Sequence, residues 1–141
     1  MNRLAVQFLD KGFHRMLFDA MPMPVFVVDE DVCILECNAA ATRLLGKNKQ
    51  HVLGKRSGEV LDCIHARETA GGCGYSPECG GCVVRQSVQT ASQGRSVVRH
   101  EMEMKFGHNG GSRKAKLRVT CQPFTYGGRA FILLILEGLN D

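Results

Sequence analysis

Residues 21–46 read MPMPVFVVDEDVCILECNAAATRLLG, and the order of events in that stretch decides the fold. Val25-Phe26-Val27-Val28 is a short β-rich run, Asp29-Glu30-Asp31 is a polar turn, and Val32 to Cys37 is a second run. Two such runs separated by three polar residues predict a hairpin. Asn38 then offers a side chain that caps a helix start, and Gly46 offers the left-handed position that ends one, so a short helix is predicted over Ala39 to Leu45. Upstream, Val6, Leu9, Phe13, Met16 and Leu17 recur at helical spacing, with Leu4, Phe8 and Phe18 widening the apolar side. The prolines of Met21-Pro22-Met23-Pro24 end that pattern. A helix this apolar must lie against its own domain or pair with a second copy.

Downstream, Lys47 to His51 reads as a solvated loop, and Val52 to Thr69 as short helical turns, of which Glu59 to Ile64 is the best. A glycine- and cysteine-rich stretch, Ala70 to Tyr75, leads into Ser76-Pro77-Glu78: an N-cap, a proline at the first helical position and an acid in the first turn. That start predicts one helix running to about Ser92, with Val84, Val88 and Ala91 on one face and Gly94 at its end. The last third changes period. Val98, Met102, Met104 and Phe106 alternate with Arg99, Glu101, Glu103 and Lys105, Gly107 to Ser112 reads as a loop, and Ala115, Leu117, Val119 and Cys121 alternate with Lys114, Lys116, Arg118 and Thr120. After the turn at Tyr126-Gly127-Gly128, Ala130 to Leu136 is almost wholly apolar, as a central strand is. Together these elements compose an α+β fold: a five-stranded antiparallel sheet with helices over one face, preceded by an N-terminal helix. The expected division is residues 1–21 as an amphipathic dimerisation helix and 22–141 as the domain itself.

A chain of 141 residues, 44% hydrophobic and 23% charged, has room for one domain with a real core, and its composition argues against global disorder. It shows neither a signal-peptide apolar region nor a run long enough to span a bilayer, so the expected setting is cytoplasmic, with no membrane partner. The formal charge of +4 is too modest to argue for an anionic partner. Arg113, Lys114, Lys116 and Arg118 alternate opposite Glu101 and Glu103, which is what a solvated sheet face requires, so no direct nucleic-acid role is expected. Nor is an enzyme expected. There is no Ser/His/Asp arrangement and no phosphate-binding glycine loop, and Asp29, Glu30 and Asp31 are better explained as a turn than as paired acids.

Seven cysteines beside five histidines are the unusual feature. An odd count without a secretory signal is a poor disulfide scaffold. Four of the thiols follow the spacing Cys63-x9-Cys73-x5-Cys79-x2-Cys82, with His65 two residues after the first. Four thiolates, or three and an imidazole, satisfy a tetrahedral zinc or an iron–sulfur cluster. Within a single helix, Cys79 and Cys82 would share a face of the first turn, where exposed amides lower thiol pKa values. A thiol–disulfide switch and plain burial of small hydrophobes stay open beside the metal. Cys33, Cys37 and Cys121 fall on strands and read as core, and His14, His51, His100 and His108 receive no role. Any small ligand is expected between sheet and long helix, touching Val84, Val88, Met102, Met104 and Leu117.

Residues 21–46 and the closing stretch YGGRAFILLILEGLND, 126–141, resemble the opening hairpin and the last strand of a PAS domain. The resemblance spans Phe18 to Leu139 and implies a bacterial sensory or interaction module, usually a homodimer through its N-terminal helix. Such a module regulates an attached or partner effector, for example a histidine kinase or a transcriptional regulator. The flavin-binding subset carries an adduct cysteine in an Asn-Cys-Arg-Phe-Leu type helix, where this chain has Leu53-Gly54-Lys55-Arg56, and the haem subset carries a histidine on the long helix, where this chain has none. Flavin and haem are therefore disfavoured. CIHARETAGGCGYSPECGGCVVR, 63–85, resembles instead a subset with a cysteine cluster in the helical half, which implies redox or oxygen sensing through those thiols. The competing expectation is a ligand-free protein-interaction domain with structural zinc or simply buried cysteines.

Overall fold

The computed structural model describes residues 11–68, 70–108 and 111–138. Leu4, Val6, Phe8 and Leu9 of the N-terminal pattern lie outside the described residues, and what is seen of that helix is α1, Lys11–Ala20. Five strands follow in the chain: β1 (Val25–Val28), β2 (Ile34–Cys37), β3 (Val97–His108), β4 (Gly111–Tyr126) and β5 (Arg129–Gly138). They form one sheet of order β2-β1-β5-β4-β3, antiparallel at every pairing, with the apolar β5 at its centre as its composition predicts. Between β2 and β3 lie the helices α2 (Ala39–Leu45), α3 (Ser57–Val60) and α4 (Val83–Ser92), with 3-10 turns at Lys49–His51, Ile64–Arg67 and Pro77–Gly81.

One sheet face and the helices enclose the core. Phe26, Val28, Ile34, Val119, Cys121, Leu134 and Leu136 pack with Val84, Val88 and Ala91 of α4 and Ala41 of α2, all buried. Asn38 fastens the start of this arrangement. Its Oδ1 accepts from Ala41 N and from Val25 N, each at 3.0 Å, and its Nδ2 donates to the Met23 carbonyl at 3.0 Å. Gly46, at φ 64, closes α2 through its N–H to the Thr42 carbonyl. Both caps are the predicted ones.

Elsewhere the chain departs from the reading of its sequence, each time for a local reason. The helix expected from Ser76 to Ser92 is two elements, because Gly80 and Gly81 each disfavour helix by ~1 kcal/mol and the chain turns extended at Cys82 (φ −68, ψ 122) before α4 begins. The turn expected at Glu59 to Ile64 is likewise broken at Asp62, whose φ is 57. Register in β3 slips between Val97 and His100, where Arg99 takes a φ of 52. This bulge turns Val98, expected inside, to 70% exposure. The β3–β4 hairpin is tighter than the predicted loop, since pairing runs out to His108 and Gly111. Pro123 sits within β4 but beyond the Val97–Cys121 pair, where that strand has lost its β3 neighbour and a missing donor costs no ladder bond on that side.

α1 is held to the domain by its polar side. Asp19 accepts from Ala39 N at 3.0 Å, and Arg15 lies 3.2 Å from Glu36. Phe13, Met16 and Leu17 on the same helix remain exposed. On the outer sheet face the basic residues of β4 meet the acids of β3 as expected, with Arg118 at 3.5 Å from Glu101 and Lys114 at 3.9 Å from Glu103. No described helix is long and apolar enough to cross a membrane.

Candidate functional site

The four clustered cysteines come from three short pieces of chain, with Cys79 and Cys82 on the same one. Cys63 follows the break after α3 and bridges Phe106 of β3. Cys73 lies in the glycine loop, between Gly72 (φ 80) and Gly74 (φ 96), conformations that only glycine adopts without strain. Cys79 sits in the 3-10 turn, and Cys82 is the N-cap residue of α4, its N–H donating to the Cys79 carbonyl at 3.2 Å. All four line one enclosed cavity of about 30 Å³, together with His65, Val32, Gly58, Val84, Arg85 and Met104. Among the described residues no three His, Cys, Asp or Glu side chains are arranged to hold a metal ion, so the thiols ring the cavity without closing on one point. No disulfide joins any of the seven cysteines.

The cavity has its shape because small residues surround it. A Cβ on Gly58 of α3 would stand 2.8 Å from Cys73 Sγ and 3.5 Å from Cys63 Cβ, and one on Gly74 would overlap the guanidinium of Arg85. Ser76, itself buried, donates to the Glu68 carboxylate, which also lies 2.7 Å from His65 Nδ1, so the imidazole at the cavity wall is already oriented. Those two partners hold the Glu68 carboxyl below its ordinary range, Ser76 more than His65. Burial dominates the thiols: it pushes Cys63 and Cys82 upward, even though Cys82 accepts from the amides of Arg85 and Val84. The helix-start effect expected at Cys82 is thus present and outweighed.

Asp31 joins the surroundings of the cavity through contacts that its sequence position does not reveal. Read as a mere turn residue, it accepts from Arg56 at 3.0 Å (Nε) and 2.6 Å (Nη2), and from Arg85 Nη1 at 3.1 Å. Arg85 in turn points Nη2 at Cys73 Sγ, 3.9 Å away. The two guanidinium groups, Arg56 first, hold the Asp31 carboxyl below the usual carboxylate range. Nothing in the spacing of positions 31, 56 and 85 announces this network.

The remaining residues are distributed differently. Cys37 and Cys121 are buried core residues and Cys33 is half-buried. Of the five residues expected around a ligand, Val84 and Met104 touch the thiol cavity, Leu117 lines a separate cleft of about 550 Å³, Val88 is packed in the core and Met102 packs against it. That cleft is walled by Leu44, Leu45, Leu61, Phe106, Ala115 and Leu136, with Arg113 and Glu137 at its polar side.

Comparison with known proteins agrees with this architecture. The PAS fold family model matches residues 13–137. Among solved structures, the PAS domain of an HTR-like protein from Haloarcula marismortui superposes with a TM-score of 0.57 at 22% identity, covering 91% of this chain and 96% of that one. The PAS domain of nitrogen regulation protein NR(II) from Vibrio parahaemolyticus gives 0.60 at 17%, covering 89% and 97%. A PAS domain from a two-component sensor histidine kinase gives 0.59 at 10%, covering 96% and 99%. No curated protein sequence matches. With the family model spanning the sheet and every helix between its strands, the chain belongs to the PAS family.

Proposed function

We propose that this PAS domain is the sensory module of a signal-transducing protein, that it reads a metal or redox cue at the cavity of Cys63, Cys73, Cys79 and Cys82, and that it passes the cue to a histidine kinase or transcriptional regulator. The observation that carries this reading is the meeting of the four thiols of residues 63–82 around one enclosed cavity. Scattered core cysteines have no reason to do so. The thiol-rich lining suits a thiophilic metal or an oxidant acting on the sulfurs, with His65 at the wall, and because no three of these side chains are arranged to hold an ion as they stand, a metal would bind only with rearrangement of the ring. When bound, such an ion supplies a cross-link between segments that the chain itself joins only by 3-10 turns and glycines.

The exposed Phe13, Met16 and Leu17 of α1 support a homodimer through that helix, and seven free cysteines suit a reducing, cytoplasmic setting. Purification without oxygen, followed by metal analysis, thiol titration and native mass spectrometry, tests the reading. About one equivalent of zinc or iron per chain, lost in Cys79→Ser/Cys82→Ser, is the expected result. A dimer with no added mass, whose thiols neither take up zinc nor respond to oxidant, would show a ligand-free interaction domain instead.

A further inference from the structure

Sequence groups Arg113 with the outward charges of β4, yet the strand places it on the other side. It shares the parity of Ala115, Leu117 and Val119, which face the helices, and not that of Lys114 and Arg118, which meet the acids of β3. Its cross-strand partner is Phe106, and its guanidinium lies 5.8 Å from the centre of that ring. This is the far end of the core-facing side, where α2 has ended at Leu45 and α3 at Val60, and to which α4 contributes no residue. What the helices leave uncovered is the cleft of about 550 Å³, floored by Phe106, Ala115, Leu117 and Leu136. Gly138 adds no side chain there, and a Cβ at that position would meet open space. Leu44, 55% exposed, forms the opposite lip. The cleft shares no residue with the thiol cavity.

Its charges are unequal in what they can offer a ligand. Asp62 lies 3.8 Å from Lys47 and Glu137 lies 3.5 Å from Arg99, so each acid at the rim has a basic partner within the chain. Lys116 lines the rim from the outward parity, and Arg113 is the cation on the apolar side. An apolar hollow of this size, edged by a fork of five N–H donors, complements a hydrocarbon body with one carboxylate end. We infer that this cleft binds a small organic acid, its body lying on Phe106, Leu117 and Leu136 and its carboxylate accepting from Arg113. Pro22 and Pro24, which join α1 to β1, also wall the cleft, and the Pro24 carbonyl accepts from Leu136 N at 3.2 Å. An occupant therefore touches the segment after α1 and the last strand at once.

The test is titration of the reduced chain with decanoate and with decanol, its uncharged counterpart, followed by calorimetry and by amide shifts in NMR. Decanoate should saturate with a Kd below about 1 mM, shift the amides of residues 115, 117 and 136–138, and bind about five- to tenfold tighter than decanol. Arg113→Gln, at an exposed position, should bring decanoate down to the affinity of decanol and leave decanol unchanged, and Arg113→Lys should recover part of the difference. Ala115→Leu, which fills the floor, should weaken both. Absence of saturable binding, shifts centred elsewhere, or binding undiminished in Ala115→Leu overturns the site. Equal affinity for decanoate and decanol, or no effect of Arg113→Gln on decanoate, overturns the assignment of an acid. None of these outcomes depends on whether the thiols take up a metal or respond to oxidant.

Discussion

Gly58→Ala is the smallest change that probes the wall of the thiol cavity. The residue is buried in α3 with an ordinary helical backbone, so on propensity alone alanine should stabilise it by ~1 kcal/mol. The structure opposes that gain. The added methyl would lie 2.8 Å from Cys73 Sγ, 3.2 Å from Cys73 Cβ and 3.5 Å from Cys63 Cβ. Overpacking of this kind costs ~1–3 kcal/mol. The balance is a net loss of about 0–2 kcal/mol, seen in urea unfolding under reductant and chelator as a midpoint lowered by up to about 1 M at unchanged slope. The decisive measurement is the cycle with Cys73→Ala, which removes the nearest atom. In that background Gly58→Ala should become neutral or stabilising, giving a compensating coupling of ~1–3 kcal/mol. Stabilisation by ~1 kcal/mol in both backgrounds, with no coupling, would mean that the glycine loop does not lie against α3, and the cavity built on that contact would be lost with it.

Two further outcomes test the frame around the site. Asn38→Ala removes a helix cap and leaves the buried Val25 N–H without its acceptor, so thermal and chemical unfolding should show a loss of ~2–5 kcal/mol; a loss below ~1 kcal/mol would contradict the network seen at that side chain. Burial pushes the Cys121 thiol up to about 12 from an ordinary value of 9.0, so the folded state keeps a proton that the unfolded chain releases. Stability from this group is therefore complete below about pH 9 and is lost as pH rises from there toward about 12, with a slope of at most ~1.4 kcal/mol per pH unit, and Cys121→Ala should flatten that part of the stability–pH curve relative to the original chain.

How much of this was legible depended on whether the deciding physics was local. Asn38 and Gly46 announce their caps by residue type alone, and the alternation around Leu117 and Val119 announces a half-buried strand, because side-chain period and burial are set within a few residues. The convergence of Cys63, Cys73, Cys79 and Cys82 could be suspected from density and glycines, yet its geometry could not, since the break at Gly80-Gly81 detaches Cys79 from the helix that begins after Cys82. Asp31 stands in the turn that its sequence predicts, while its ion pairs were not legible, because an acid in a polar turn has a complete local explanation and its partners stand 25 and 54 residues away. The exposure of Val98 was missed for the opposite reason: a bulge adds one residue and reverses an alternation that was otherwise right.

Magnitudes decide where a signal from this site must be stored. An ion pair to a carboxylate as exposed as Asp31, at 51%, is worth up to ~1 kcal/mol, a factor of about five in an equilibrium. Driving a two-state element from 1:99 to 99:1 takes ~5.5 kcal/mol. The Arg85–Asp31 contact by itself is therefore too weak to power a full switch. The described residues from Cys63 to Cys82 carry two 3-10 turns, Ile64–Arg67 and Pro77–Gly81, and glycines at positive φ. The proposed sensing cavity is walled by this segment, which packs through Cys63 on β3 and caps α4 with Cys82, so a change at the cavity would reach both the sheet and the helix.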